Sequence, residues 1–258
     1  MTRRPNDAPP GSELGLAGTI EFSVVAPVHD EAGNAPALAR EIAAALDGRA
    51  YEMIFVDDSS RDDTRHELVA LKRELPTLRI LGHRANSGQS RAVRTGVLAA
   101  RAPIVGTLDG DGQNDPADLP RLLARLTRPE APANLAMVAG NRAKRQDNWS
   151  KRAASRIANN IRRAALKDGA VDSGSGVKVF KREAFLRLPY FDHMHRFMPA
   201  LMLREGFAVE FLEVNHRPRS AGRSKYTNLG RLAANMTDLF GVMWLRSRAR
   251  LPGGVDEL

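Results

Sequence analysis

The chain has 258 residues, 43% of them hydrophobic and 27% charged, the make-up of one large globular domain. Cysteine is absent, which excludes disulfides, thiolate zinc sites, iron–sulfur clusters and a cysteine nucleophile. The formal net charge is +9, and the excess is unevenly placed: Arg142 to Lys167 holds 9 basic residues against Asp147 alone, and Arg217 to Arg250 holds 8 against Asp238 alone. Two basic stretches on an otherwise acidic body point to polyanionic partners: nucleic acid, anionic lipid or phosphorylated substrates. No run of about 18 apolar residues occurs, so no spanning helix is expected. Met1 to Pro10 is polar and basic and leads into no apolar segment, so a cytoplasmic location is expected.

Residues 1–19 are rich in Pro, Gly and charge without a period, and read as a disordered leader. Phe22 to Val28 is a short apolar run and reads as a buried strand. Asn34 to Leu46 has helical spacing, Tyr51 to Val56 is a strand ending in Asp57-Asp58, and Asp63 to Leu75 is a second amphipathic helix. Leu78 to Leu81 reads as a strand, Ser90 to Ala100 as a helix, and Ile104 to Leu108 as a fourth strand. Alternating short strands and helices predict an α/β fold with a mainly parallel sheet flanked by helices. Further on, Asn134 to Ala139, Gly176 to Phe180 and Ala208 to Val214 read as strands, and Trp149 to Leu166 as a basic amphipathic helix.

Ligands of such sheets lie beyond the carboxyl ends of the strands. Polar residues gather there: His29-Asp30-Glu31, Asp57-Asp58-Ser59 and Asp109-Gly110-Asp111. Three acidic strand ends would repel one another without a cation or donors between them, which points to a metal or donor site. Helix capping explains Asp62 or Asp118, but explains Asp109 and Asp111 poorly. Two carboxylates one residue apart on a turn suit Mg²⁺ or Mn²⁺ together with diphosphate oxygens. An EF-hand is excluded, because its sixth loop position would be Asn114 and its twelfth Pro120. An aspartyl-phosphatase pair is discounted because it would end the first strand, not the fourth. No Walker A run, nucleophile elbow or His-Glu-x-x-His is present.

Taken together, seven segments resemble the family 2 glycosyltransferases of the GT-A (Rossmann-like) fold, in the polyprenyl-phosphate, dolichol-phosphate mannose synthase-like branch. They are Val25 to Glu31, Val56 to Thr64, Asn86 to Gln89, Asp109-Gly110-Asp111, Gly140-Asn141-Arg142, Asp172 to Gly176, and Arg219 to Tyr226. The resemblance implies that Pro27, His29, Glu31 and Val56 line a nucleoside pocket and that Asp58 accepts from the base or ribose. It implies that Asp109 and Asp111, helped by Gln113, hold the metal, and that Arg142, Arg219 and Lys225 contact phosphates. Asp109, Asp111 and Arg219 are its catalytic residues. His29 stands where relatives often carry Tyr. Gly110 stands where they often carry Ala, an exchange expected to be without consequence. Asp172 is read either as orienting acceptor or sugar or as a structural turn, and Arg217 more as a surface charge than as a ligand.

The implied activity is metal-dependent, inverting transfer of a sugar from a nucleotide sugar (GDP-mannose by default, or a UDP-sugar) to dolichyl or undecaprenyl phosphate at the cytoplasmic membrane face. The rival reading is a family 2 enzyme with a polysaccharide or other non-lipid acceptor. A nucleic-acid binder is disfavoured, since only three Tyr and two Trp are present and no such motif occurs. The expected organisation is a leader over 1–19, a catalytic domain over 20–226, an amphipathic membrane-interface helix over 227–250 and a tail over 251–258. Leu229, Leu232, Ala233, Met236, Leu239, Phe240, Met243 and Trp244 recur at helical spacing, and Arg246, Arg248 and Arg250 follow. Either this helix alone attaches the chain to a membrane, or a small membrane subunit supplies the anchor.

Overall fold

The computed structural model describes residues 19–142, 165–166, 168–170, 175–217 and 228–252. The predicted leader and the basic helix of Trp149 to Leu166, each for nearly all its length, Asp172, and the stretch containing Arg219 and Lys225 lie outside the described residues.

The described part opens with three strand–helix repeats and a fourth strand. They run β1 (Phe22–Val28), α1 (Asn34–Ala45), β2 (Tyr51–Asp57), α2 (Thr64–Leu71), β3 (Leu78–Gly82), α3 (Gln89–Ala99) and β4 (Ile104–Thr107). A 3-10 turn at Pro116–Asp118 leads into α4 (Leu119–Thr127) and β5 (Leu135–Arg142). Then come β6 (Lys178–Lys181), α5 (Arg182–Leu186), a 3-10 turn at Met194–Arg196, α6 (Met198–Arg204), β7 (Ala208–Val214) and α7 (Asn228–Ser247). The strands form one sheet in the order β3-β2-β1-β4-β6-β5-β7. Pairing is parallel throughout except at β6, which runs antiparallel to both β4 and β5.

The alternation of β1 explains the layering. Phe22, Val24, Ala26 and Val28 face one side, where they pack with Leu38 and Ile42 of α1, Leu68 of α2 and Leu122 of α4. Val25 faces the other side, with Val93 and Val97 of α3, Phe185 of α5, Leu201 of α6 and Leu239 and Val242 of α7. Both faces of β1 and β2 are buried, so those strands read as continuous apolar runs. Each fully buried Phe or Leu in these layers contributes roughly 1.5–3 kcal/mol relative to exposure.

The order β3-β2-β1-β4 places β1 beside both β2 and β4, so the sheet's winding reverses there. The crevice beyond the carboxyl ends of β1 and β4 is where such folds bind ligands. Helix α7 carries two faces. Leu239 and Val242 are buried in the second apolar layer, whereas Met236, Phe240, Met243 and Trp244 are 39%, 62%, 39% and 59% exposed. Of the apolar residues read from the sequence as one face, the five from Met236 to Trp244 whose side chains are described are thus split, with Leu239 turned into the protein. Among the described residues, no helix is long and apolar enough to cross a membrane.

Candidate active site

Asp109, Gly110 and Asp111 follow β4 on a tight turn. Gly110 is packed so closely that a Cβ there would stand 2.6 Å from Val28 Cγ1 and 2.8 Å from the Pro27 carbonyl oxygen. An alanine at this position would force the end of β1 to shift, which corrects the expectation that the exchange is neutral. On the other side, a Cβ on Gly176 would lie 2.3 Å from Asp109 Cγ. The Asp109 backbone N–H donates to Asn114 Oδ1 at 2.9 Å, and the Gln113 N–H donates to Asp111 Oδ1 at 3.2 Å, so the turn is closed by its own side chains.

Burial pushes the Asp109 carboxyl above the usual carboxylate range. The Lys178 and Arg142 charges and the Gln89 hydrogen bond pull it down, and the Asp111 charge adds to the rise. The structure therefore brings Asp109, Asp111 and Arg142 into one electrostatic neighbourhood, with Gln113 on the same loop. It adds Lys178, which sequence reading missed. Lys178 is buried on β6, and its Nζ donates to the Ser175 carbonyl. Its identity inside an apolar strand, Val177 to Phe180, is the signal that marks it. The donor set, two hard carboxylates on one turn, fits Mg²⁺ or Mn²⁺; among the described residues, no group of three or more His, Asp or Glu is placed to hold a metal by itself. Such ions are held by one or two carboxylates plus waters and substrate phosphates.

The residues expected to line a nucleoside pocket are placed differently from one another. His29 and Glu31 are half-buried on the loop after β1, with the Glu31 carboxylate accepting from Asn34 Nδ2 at 2.8 Å. Pro27 and Val56 are buried, and Val56 belongs to the second apolar layer. Asp58 is 3% exposed, and its carboxylate accepts from the backbone N–H groups of Ser87 and Gly88 at 2.9 and 2.8 Å and meets His83 Nδ1 at 2.7 Å. Asp57 pairs with Arg65 and accepts from the Ser60 N–H. Internal donors thus offset the acidic end of β2, and the charge argument for a cation narrows to Asp109 and Asp111.

Further expectations are revised. Asp62 stands one residue before Asp63, the N-cap of α2, and its carboxylate closes the turn into the helix by accepting from the Thr64 N–H at 3.1 Å. Asp118 does not cap; its buried carboxylate holds Arg121 and the Asn215 N–H. Arg217 is more than a surface charge. It pairs with Glu41 at 2.6 Å and Asp115 at 2.7 Å, and its N–H donates to the Gln113 carbonyl, tying the exit of β7 to the carboxylate loop.

With this geometry in view, the sequence profile of Glycosyl transferase family 2 matches residues 23–188. The chain belongs to that family. It is a glycosyltransferase. It is 31% identical over 242 residues to a dodecaprenyl-phosphate galacturonate synthase of Rhizobium johnstonii, covering 91% of this chain and 70% of that protein. It is 32% identical over 225 residues to an undecaprenyl-phosphate 4-deoxy-4-formamido-L-arabinose transferase of an Enterobacter species, covering 85% of this chain and 66% of the relative, just under two thirds of its length. Among solved structures, it is similar to glucosyl-3-phosphoglycerate synthase of Mycobacterium tuberculosis in complex with Mn²⁺, UDP and glucosyl-3-phosphoglycerate, at 20% identity, with a TM-score of 0.67 over 90% of this chain and 82% of that one. The same synthase with Mg²⁺ and UDP gives 19% identity and a TM-score of 0.67, over 90% of this chain and 81% of that one. These likenesses show the GT-A fold of the family 2 glycosyltransferase.

Proposed function

We propose that this glycosyltransferase moves a sugar from a nucleotide sugar to a polyprenyl phosphate at a membrane surface. The observation that carries the reading is the Asp109–Asp111 turn at the point where the sheet's winding reverses, with Arg142 and Lys178 acting on Asp109. The relatives named as polyprenyl-phosphate sugar transferases support the acceptor class. Their sugars are galacturonate and a formamido-arabinose, and the structural neighbours hold UDP, so a UDP-sugar is read ahead of GDP-mannose.

Asp109 and Asp111, with Gln113 beside them, hold a Mg²⁺ or Mn²⁺ ion. When bound, the ion supplies positive charge against the donor diphosphate. Both substrates are anionic at their reacting ends, so repulsion must be offset before they approach. Arg142 and Lys178 contribute from the described part of the site, and Arg219 and Lys225 are proposed as further phosphate contacts. Pro27, His29 and Glu31 bound the nucleoside side, with Val56 and Asp58 behind. An oxygen of the acceptor phosphate attacks the sugar C1. The bond from C1 to the diphosphate oxygen breaks, and the nucleoside diphosphate leaves with that electron pair. One displacement inverts the anomeric centre. A phosphate dianion needs no proton removed, so no side chain has to act as a base.

The unit over 20–226 is read as catalytic and the helix over 227–250 as its membrane contact. The exposed stripe Met236, Phe240, Met243 and Trp244, followed by Arg246, Arg248 and Arg250, suits an anionic lipid interface. On this reading the enzyme sits peripherally on the inner face of the membrane, with a small membrane subunit as the alternative anchor.

The test is transfer of label from a panel of nucleotide sugars to undecaprenyl phosphate, with Mg²⁺ or Mn²⁺ and with chelator. Label entering the organic phase only with metal is the expected result, and the active donor identifies the sugar. A labelled water-soluble product would transfer the assignment to a non-lipid acceptor.

A further inference from the structure

We propose that Gln89 is a positioning residue for Asp109, fixing the carboxylate that faces the cation; this rests on the reading that Asp109 holds a divalent ion. Gln89 is the first residue of α3, and its Nε2 donates to Asp109 Oδ1 at 2.7 Å across 20 positions of sequence. An amide does this without adding charge, so the site's negative potential is left for the cation.

The backbone that carries Gln89 is held on both sides. Before it, the N–H groups of Ser87 and Gly88 donate to Asp58. Gly88 sits at φ 84, a left-handed conformation that other residues adopt only with strain. After it, Ser90 is buried, and its Oγ lies 2.7 Å from His195 Nδ1, in the loop before α6. The segment from Ser87 to Ser90 therefore links the carboxylate at the end of β2 to the carboxylate at the end of β4. A side chain on so constrained a backbone loses little further freedom when it reaches Asp109.

Among the described residues, Gly176 closes Asp109 on one side and the Gln89 amide meets it at Oδ1. Losing the amide leaves the carboxylate free to turn without disturbing the apolar layers, because Gln89 is exposed.

The experiment is calorimetric titration of Mn²⁺, in the presence of UDP, into the wild type, Gln89→Met, Gln89→Asn and Asp109→Ala, each with its melting temperature. Met keeps the volume and loses the donor; Asn keeps the amide and is one methylene too short. Both are expected to bind Mn²⁺ about tenfold more weakly with an unchanged melting temperature, the low end of what outer-sphere partners contribute. Asp109→Ala is expected to abolish the Mn²⁺ heat. Wild-type Mn²⁺ affinity in both Gln89 variants, with the heat lost in Asp109→Ala, would overturn the positioning role alone. Unchanged Mn²⁺ binding in Asp109→Ala would overturn the metal reading and this inference with it.

Discussion

Gly176 and Asp109 lie so close that a Cβ on the glycine would stand 2.3 Å from both the carboxylate carbon and Oδ2. Gly176 precedes β6, the one antiparallel strand among the described residues, and Asp109 follows β4, its neighbour. The inserted strand thus delivers a bare backbone against the carboxylate, together with Lys178 two residues on. Gly176→Ala is expected to cost about 1–3 kcal/mol of stability through overpacking. It is also expected to lower sugar transfer more than its loss of stability explains, because Asp109 must move. Thermal melts beside initial rates below the melting range measure both.

Asp109 also makes the metal-free protein pH-sensitive. Its carboxyl is raised by burial above 3.8, so the folded state holds the proton to a higher pH than the unfolded chain does. Stability from this group is therefore fully present below the unfolded value and lost as pH rises through the folded one. In chelator, Asp109→Asn is expected to melt higher than wild type at neutral pH, and the gain should vanish below about pH 3.8. A variant that melts lower at neutral pH would show that ionised Asp109 is not a strained group.

His195 has the opposite dependence. Burial depresses its imidazole well below 6.5, with Lys178, Arg196 and His193 adding to the effect. The unfolded chain takes up a proton near pH 6.5 that the folded protein refuses. Stability should be full above that pH and fall below it, by up to about 1.4 kcal/mol per pH unit. Denaturant melts on either side of it should differ less in His195→Gln than in wild type.

The exposed stripe of α7 predicts a separation of binding from stability. Phe240→Glu with Trp244→Glu should change folding stability by no more than about 0.5 kcal/mol each, since both side chains are more than half exposed. Flotation with phosphatidylglycerol vesicles should fall sharply in the double variant. Wild-type flotation would remove the helix from the membrane reading.

The first half of the fold was legible because each strand there is a short, mostly apolar run stopped by polar or glycine residues, and the predicted and observed spans differ by only a few residues. Helix α4 was not given bounds, although Leu119, Leu122, Leu123 and Leu126 form a clear stripe. The reversed direction of β6 carries no periodic signal, because alternation is the same for a parallel and an antiparallel strand. Asp109 and Asp111 were legible as a motif. Gln89, Lys178 and Gly176 act on Asp109 across 20, 69 and 67 positions, and only the fold brings such distant residues together. Asp58 shows the converse: its acidity was read as ligand-facing, yet the loop carrying Ser87 and Gly88 folds back to satisfy it.

The measurement that tests the account most directly is organic-phase transfer of sugar by the Asp109→Ala, Asp111→Ala double variant beside wild type, with circular dichroism to show that both are folded. The account predicts a folded double variant whose transfer to undecaprenyl phosphate falls by at least about 100-fold. A folded double variant as active as wild type would contradict it, and the chemistry would then have to be sought away from the end of β4.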